Sequence, residues 1–200
     1  MIAFIFHLVA LIGHADHVEV IGTRGERPES IVVVESPEDA EQLDTNGRPL
    51  AVISQTTLSL DDVASTVEEL ESRFGDLRRP GADDICYATQ NRQDAVKKIA
   101  RKGATLILVI GSPTSSNAQR LVEVARAAGA DAALIDGESD LDAALLDGHA
   151  TIGLTAGAST PEELVQAVLG RLADGGYDAL EEVTVAREDV HFRLPREVAS

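Results

Sequence analysis

Two hundred residues, 44% of them hydrophobic, 3% aromatic and none Trp, suffice for one large α/β domain or two small lobes sharing a core of Val, Leu, Ile and Ala. A formal net charge of −17, from 34 acidic and 17 basic residues, excludes a nucleic-acid grip through a general basic surface and reads as a well-solvated exterior. The single cysteine, Cys86, excludes an internal disulfide and fits a reducing, cytoplasmic setting.

The chain opens on an almost continuous apolar run, Ile2–Ile12. It is too short to cross a bilayer as a helix. It has neither a basic leader nor a small-residue cleavage site before Gly13, so it predicts a buried strand ending at that glycine. Ile31–Val34 and Leu50–Ile53 predict two more buried parallel strands. Leu60, Val63, Val67, Leu70 and Phe74 fall three and four apart, which predicts a helix over Leu60–Phe74. Ser59 caps it, with Asp62 three residues on. Arg78–Ala82 breaks the pattern and marks a boundary. Beyond it, Asn91–Ala100 predicts a helix with Val96, Ile99 and Ala100 inward, followed by a strand at Thr105–Ile110. A helix over Ser116–Ala128 is closed by Gly129. Strands at Ala132–Ile135 and Thr151–Leu154 follow. Thr160 then caps a last helix, with Pro161 as its first residue and Glu163 completing the box, running to about Leu172. Glu182–Val185 and Val190–Leu194 alternate as edge strands would. The expected organisation is an α/β lobe over residues 1–78, a second over 79–176 and a tail over 177–200, each lobe built of right-handed βαβ crossovers on a parallel sheet.

Four strand-to-helix turns carry one chemistry: Gly13–Glu19, Ser54–Thr57, Gly111–Asn117 and Thr155–Ser159. In an open parallel sheet, ligands bind beyond the carboxyl ends of the strands, where these turns lie. Hydroxyls, amides and the free N–H groups of helix starts make a socket for an anion without Lys or Arg, and a phosphate is the natural occupant. Any one such turn is more often a plain helix cap; it is the four on one side that make the socket an equal reading. His14 and His17, three apart, suit a metal, but no second cluster completes a zinc site. A lone cysteine such as Cys86 is more often a small buried side chain than a ligand.

Taken in order, these segments resemble one family. They are Gly-His-x-x-His-x-Glu-Val at Gly13–Val20, Glu35-Ser36-Pro37, Ser54-Gln55-Thr56-Thr57-Leu58-Ser59 and Asp83-Asp84-Ile85-Cys86-Tyr87-Ala88-Thr89 followed by Asn91-Arg92-Gln93. Gly111-Ser112 with Ser115-Ser116-Asn117, and Thr155-Ala156-Gly157-Ala158-Ser159, complete the set. The family is 4-hydroxy-3-methylbut-2-enyl diphosphate reductase, and the resemblance covers about Leu11 to Pro195. It implies two lobes of a three-lobed, clover-like α/β fold around a central [4Fe–4S] cluster. Cys86 matches the last of three cluster cysteines. Glu19 matches the acid that relays a proton, and Thr56 the hydroxyl that orients the substrate's own. His17, Ser115, Ser116, Asn117 and Ser159 match residues that grip the diphosphate. The implied reaction removes the allylic hydroxyl reductively, giving isopentenyl and dimethylallyl diphosphates, with a donor such as ferredoxin or flavodoxin.

The sequence also departs from the family. Its first lobe and the other two cluster cysteines have no counterpart here, Asp16 stands in place of a glycine between the two histidines, and Met1–Val9 does not match. One thiolate does not hold a cluster that the family holds with three. The expectation is a truncated chain, inactive alone, whose uncovered lobe surface exposes apolar side chains. The alternatives are one half of a split enzyme, with a partner chain supplying the missing lobe, and a non-catalytic diphosphate-binding module.

Overall fold

The computed structural model describes residues 7–80 and 84–186. Strand β1 (Leu8–Ile12) lies between β2 (Ile31–Val34) and β3 (Leu50–Ser54), all parallel, with Ile12 in register with Val34 and with Ser54. A second sheet repeats the plan. Strand β4 (Leu106–Ile110) is central between β5 (Asp131–Ile135) and β6 (Ile152–Ala156). Both sheets are therefore parallel α/β, as expected. In each, the chain leaves the central strand to one side and returns on the other, so the ends of β1 and β4 are switch points where a crevice opens.

Helices cover both faces of each sheet. On the first, Leu8, Ala10 and Ile12 pack with Val67 and Leu70 of α3 (Leu60–Phe74) and Ala40 of the short α2 (Pro37–Gln42). Leu11 and Ile31 face Val20 of α1 (Val18–Glu26) on the other side. On the second, Ile107 and Val109 meet Val96 of α4 (Tyr87–Arg101) and Leu121 and Ala125 of α5 (Ser116–Ala127). Leu108 and Ile110 pack with Val168 and Leu172 of α7 (Glu162–Asp174), near the short α6 (Ala143–Leu146). Every β4 residue is buried, which explains its unbroken apolar run. Helix α1 leaves Val18 and Ile21 80% and 56% exposed.

Several expectations need correction. Helix α7 begins at Glu162 with Pro161 as its cap residue and no side-chain capping bond; the Thr160 hydroxyl donates to the Ile110 carbonyl at 3.0 Å instead. Helix α4 starts at Tyr87, four residues before the predicted Asn91, because buried Ile85 anchors the turn in the first core. Residues Glu182–Val185 form no strand. Thr184 instead offers its carbonyl to Lys98 of α4 at 3.0 Å, and Glu181 pairs with Lys102. The Ser59 cap is as predicted, accepting from the Asp62 N–H at 3.2 Å. Gly129 sits at φ +88°, past the end of α5. Residues 2–6 of the first apolar run and the Val190–Leu194 segment lie outside the described residues.

Candidate functional site

The turn after β1 is built by close approach. A Cβ on Gly13 would stand 2.8 Å from Val20 and 2.9 Å from Gln55. Gln55, 1% exposed, uses the space this glycine leaves. Its Oε1 accepts from the His14 N–H at 3.1 Å and its Nε2 donates to the Thr57 hydroxyl at 2.8 Å, so one buried amide joins the turns after β1 and β3. His17 caps α1: its Nδ1 accepts from the Glu19 N–H at 3.3 Å. A neutral ring accepting at Nδ1 carries its proton on Nε2, which then donates to the Ser116 hydroxyl 2.7 Å away. That bond crosses from the first sheet's helix to the second's.

Glu19 takes hold of Thr56 twice. Its Oε1 accepts from the Thr56 N–H and its Oε2 from the Thr56 hydroxyl, each at 3.0 Å. The Thr56 carbonyl in turn accepts from the Cys86 N–H at 3.1 Å. Beside it, the Asp84 carboxylate accepts from the Ser54 N–H at 2.9 Å. Glu19, Thr56 and Cys86 thus meet from three separate segments. The Cys86 thiol is free and exposed, at the start of α4. Among the described residues no group of three or more His, Cys, Asp or Glu is placed to hold a metal ion.

The second sheet contributes Ser115–Asn117. The Ser115 hydroxyl caps α5, accepting from Ala118 N–H at 3.3 Å. Gly111 lets that helix start close in, since a Cβ there would meet Ala118 at 2.7 Å. Asn117 is buried, and neither its Nδ2 nor its Oδ1 has a hydrogen-bond partner among the described residues. Ser159 is exposed, in a turn that Gly157 and Thr160 pin to the Ile110 carbonyl. A cavity of about 290 Å³ lies between the sheets, lined by His14, His17, Thr57, Ser116 and Arg120 among others. Of the residues singled out from the sequence, His17 and Ser116 meet at this cavity, and Glu19, Thr56 and Cys86 are linked by hydrogen bonds. Ser115 and Asn117 share the Ser116 turn, while Ser159 stands at the neighbouring one. Gln55, named only as part of its motif, has no role of its own in the sequence reading, and Arg120 is absent from it. A lone Gln between a Ser and two Thr carries no burial signal, and Arg120 three residues before Glu123 reads as a surface helix pair.

The chain was compared with known proteins. The profile of the LytB protein family matches residues 6–173. A 4-hydroxy-3-methylbut-2-enyl diphosphate reductase of Acidothermus cellulolyticus is 52% identical over 192 residues, covering 95% of this chain and 56% of the relative. The reductase of that name from Mycolicibacterium vanbaalenii is 51% identical, covering 95% and 57%. One from Mycobacterium tuberculosis H37Rv is 50% identical, covering 96% and 58%. The solved structure of the E-1-hydroxy-2-methyl-but-2-enyl-4-diphosphate reductase of Plasmodium falciparum superposes with a TM-score of 0.89 at 37% identity, covering 96% of this chain and 61% of that one. The chain therefore spans just over half the length of the curated relatives it matches.

Proposed function

The chain belongs to the LytB protein family, and from that premise we propose that it is the diphosphate-binding and proton-relaying part of a 4-hydroxy-3-methylbut-2-enyl diphosphate reductase. The reaction cleaves an allylic C–O bond. Two electrons enter, one proton joins the departing hydroxyl to make water, and another joins the allylic carbon to leave isopentenyl or dimethylallyl diphosphate. His17, Ser115, Ser116, Asn117 and Ser159 hold the diphosphate. The helix starts behind them supply the positive end that an anion needs, so a protein of charge −17 binds one without a basic patch. Thr56 holds the substrate hydroxyl beside Glu19, which delivers the proton that makes it a leaving group.

One observation carries this reading: Glu19 grips both polar groups at the front of Thr56 while Cys86 is bonded to its carbonyl. Acid, hydroxyl and thiol are held in one piece. The family reading adds a [4Fe–4S] cluster, which supplies electrons and a Lewis acid when bound. This chain does not fit the whole of that group. It offers one thiolate, Cys86, and two more must come from outside these 200 residues. The reading therefore includes a missing-lobe polypeptide, in the same protein or a partner chain, and an electron donor of the ferredoxin or flavodoxin class. Nothing in it requires a membrane, and no described helix is long and apolar enough to cross one. A cytoplasmic setting suits such a cluster.

The test is anaerobic iron and sulfide reconstitution with iron counting and Mössbauer spectroscopy. The chain alone is expected to hold no four-iron cluster. The chain with a relative's first lobe is expected to hold one and to reduce the allylic diphosphate. No cluster and no turnover in a folded complemented assembly would overturn the proposal. The orphaned amide of buried Asn117 together with the single cysteine favours a second reading, a diphosphate-binding module that keeps the socket without the cluster. Diphosphate binding with no turnover after complementation would select it.

A further inference from the structure

Arg120 lies one turn past Asn117 on α5, with its side chain 18% exposed. Its Nη2 donates to the Ser59 hydroxyl at 2.7 Å and pairs with Asp62, and its Nη1 pairs with Glu123 at 2.6 Å. Its Nε is buried and has no partner among the described residues. Ser59 and Asp62 are not on the same sheet's helices as Arg120. They form the first turn of α3, and Ser59 stands three residues after Thr56. The same turn is tied from a second direction. Lys97 of α4 pairs with Asp61 at 2.6 Å, and buried Gln93 of α4 donates to the Leu58 carbonyl at 3.1 Å. The start of α3 is thus a clip. Lys97 and Gln93 fasten it to the helix headed by Cys86, and Arg120 fastens it to the helix headed by Ser115–Asn117.

We infer that Arg120 is a positioning residue that sets the distance between the Thr56–Glu19 pair and the Ser115–Asn117 socket. The inference rests on the proposed diphosphate site and adds a residue to its support. A substrate gripped at its diphosphate by α5 presents its hydroxyl to Thr56 only if the two sheets hold a fixed separation, and a misplacement of about 1 Å costs on the order of a hundredfold in rate. The arginine suits the task. Its planar fork reaches Ser59, Asp62 and Glu123 together, a set that the point charge of a lysine meets only in part. Two carboxylates about one guanidinium also leave it little net charge to bind the diphosphate directly. Its effect on the ligand runs through the clip.

The experiment uses the full chain as Arg120→Gln, Arg120→Lys, Asp62→Asn and the Arg120→Gln/Asp62→Asn double variant. Amide hydrogen exchange is measured without ligand, and calorimetry with inorganic pyrophosphate follows. Arg120→Gln is expected to speed exchange at the Asp62 and Val63 amides, across the clip, while Ile107–Val109 of β4 keep their protection. Pyrophosphate is held between His17 of the first sheet and Ser115–Asn117 of the second, so its affinity reads the same separation and should fall roughly tenfold, within the usual span of coupling between sites. Arg120→Lys should restore part of it. Asp62→Asn should give a similar loss, and the double variant little more, since both remove one interaction. Unchanged exchange at Asp62 and Val63 in a folded Arg120→Gln chain, or a change confined to α5, would overturn the inference. If Arg120→Gln does not fold, Asp62→Asn decides by the same amides. If the wild-type chain binds no pyrophosphate, the diphosphate reading falls, and exchange across the clip alone decides the role of Arg120.

Discussion

Replacing Asn117 by leucine separates what the site costs from what it does. The amide is buried near the start of α5, with both polar atoms lacking partners among the described residues. A buried polar group left without a partner costs about 1–3 kcal/mol. Leucine has the same number and branching of side-chain heavy atoms, though bulkier, and removes both polar ones, so the repacking cost stays below the gain. The ligand-free chain should gain about 2 kcal/mol, which for a chain of this size raises Tm by roughly 4–8 °C. The same change removes a donor to the diphosphate. A hydrogen bond to a charged group is worth about 1.5–3 kcal/mol, so pyrophosphate affinity should fall roughly 10- to 100-fold. Thermal unfolding and calorimetry on the same two proteins read both effects. A lower Tm together with unchanged affinity would refute the view that Asn117 is kept unpartnered for a ligand.

Gly13→Ala places a methyl 2.8 Å from Val20 and 2.9 Å from Gln55, both buried. Overpacking there should cost about 1–3 kcal/mol in urea unfolding, and an unchanged midpoint would contradict the close approach. Glu19→Gln removes the proton donor but no part of the anion socket. A complemented assembly carrying it should bind isopentenyl diphosphate with near wild-type affinity and lose turnover, whereas parallel losses would make Glu19 a binding residue. The tail has a pH signature. Hydrogen bonding to Lys102, then its charge, holds the exposed Glu181 carboxyl below its ordinary value. A lowered folded value means that the contact is fully present above the ordinary carboxylate range and is lost as pH falls through the lowered value. NMR of the Thr184 and Val185 amides should therefore show release in acid but none near neutrality, and equal spectra across that range would contradict the pairing.

The strands were legible because a sheet covered on both faces writes itself as an unbroken apolar run, as at Leu106–Ile110. The four chemical turns were legible for a related reason: each follows such a run. Helix α1 was harder to see. Gly22 and Gly25 interrupt it, Val20 is its one buried residue, and its cap is a histidine. The start of α4 was hidden because Cys86 makes no side-chain capping bond. Thr160 carried every mark of a cap, yet its hydroxyl bonds across to β4, a tertiary contact that local spacing does not report. The alternation at Glu182–Val185 suggested a strand, but the segment is held by Lys98 of α4, and Glu181 beside it by Lys102 at that helix's end, rather than by a neighbouring strand. Arg120 was invisible as a clip because Ser59 and Asp62 are about sixty positions away in sequence and meet it only in the fold.

The central claim is that two α/β sheets of this chain form a diphosphate socket by themselves. Calorimetric titration of isopentenyl diphosphate into the folded wild-type chain tests it most directly, with His17→Ala and Asn117→Leu as comparisons. The account predicts one site per chain, weakened in both variants. No heat of binding from a wild-type chain with native circular dichroism would contradict it.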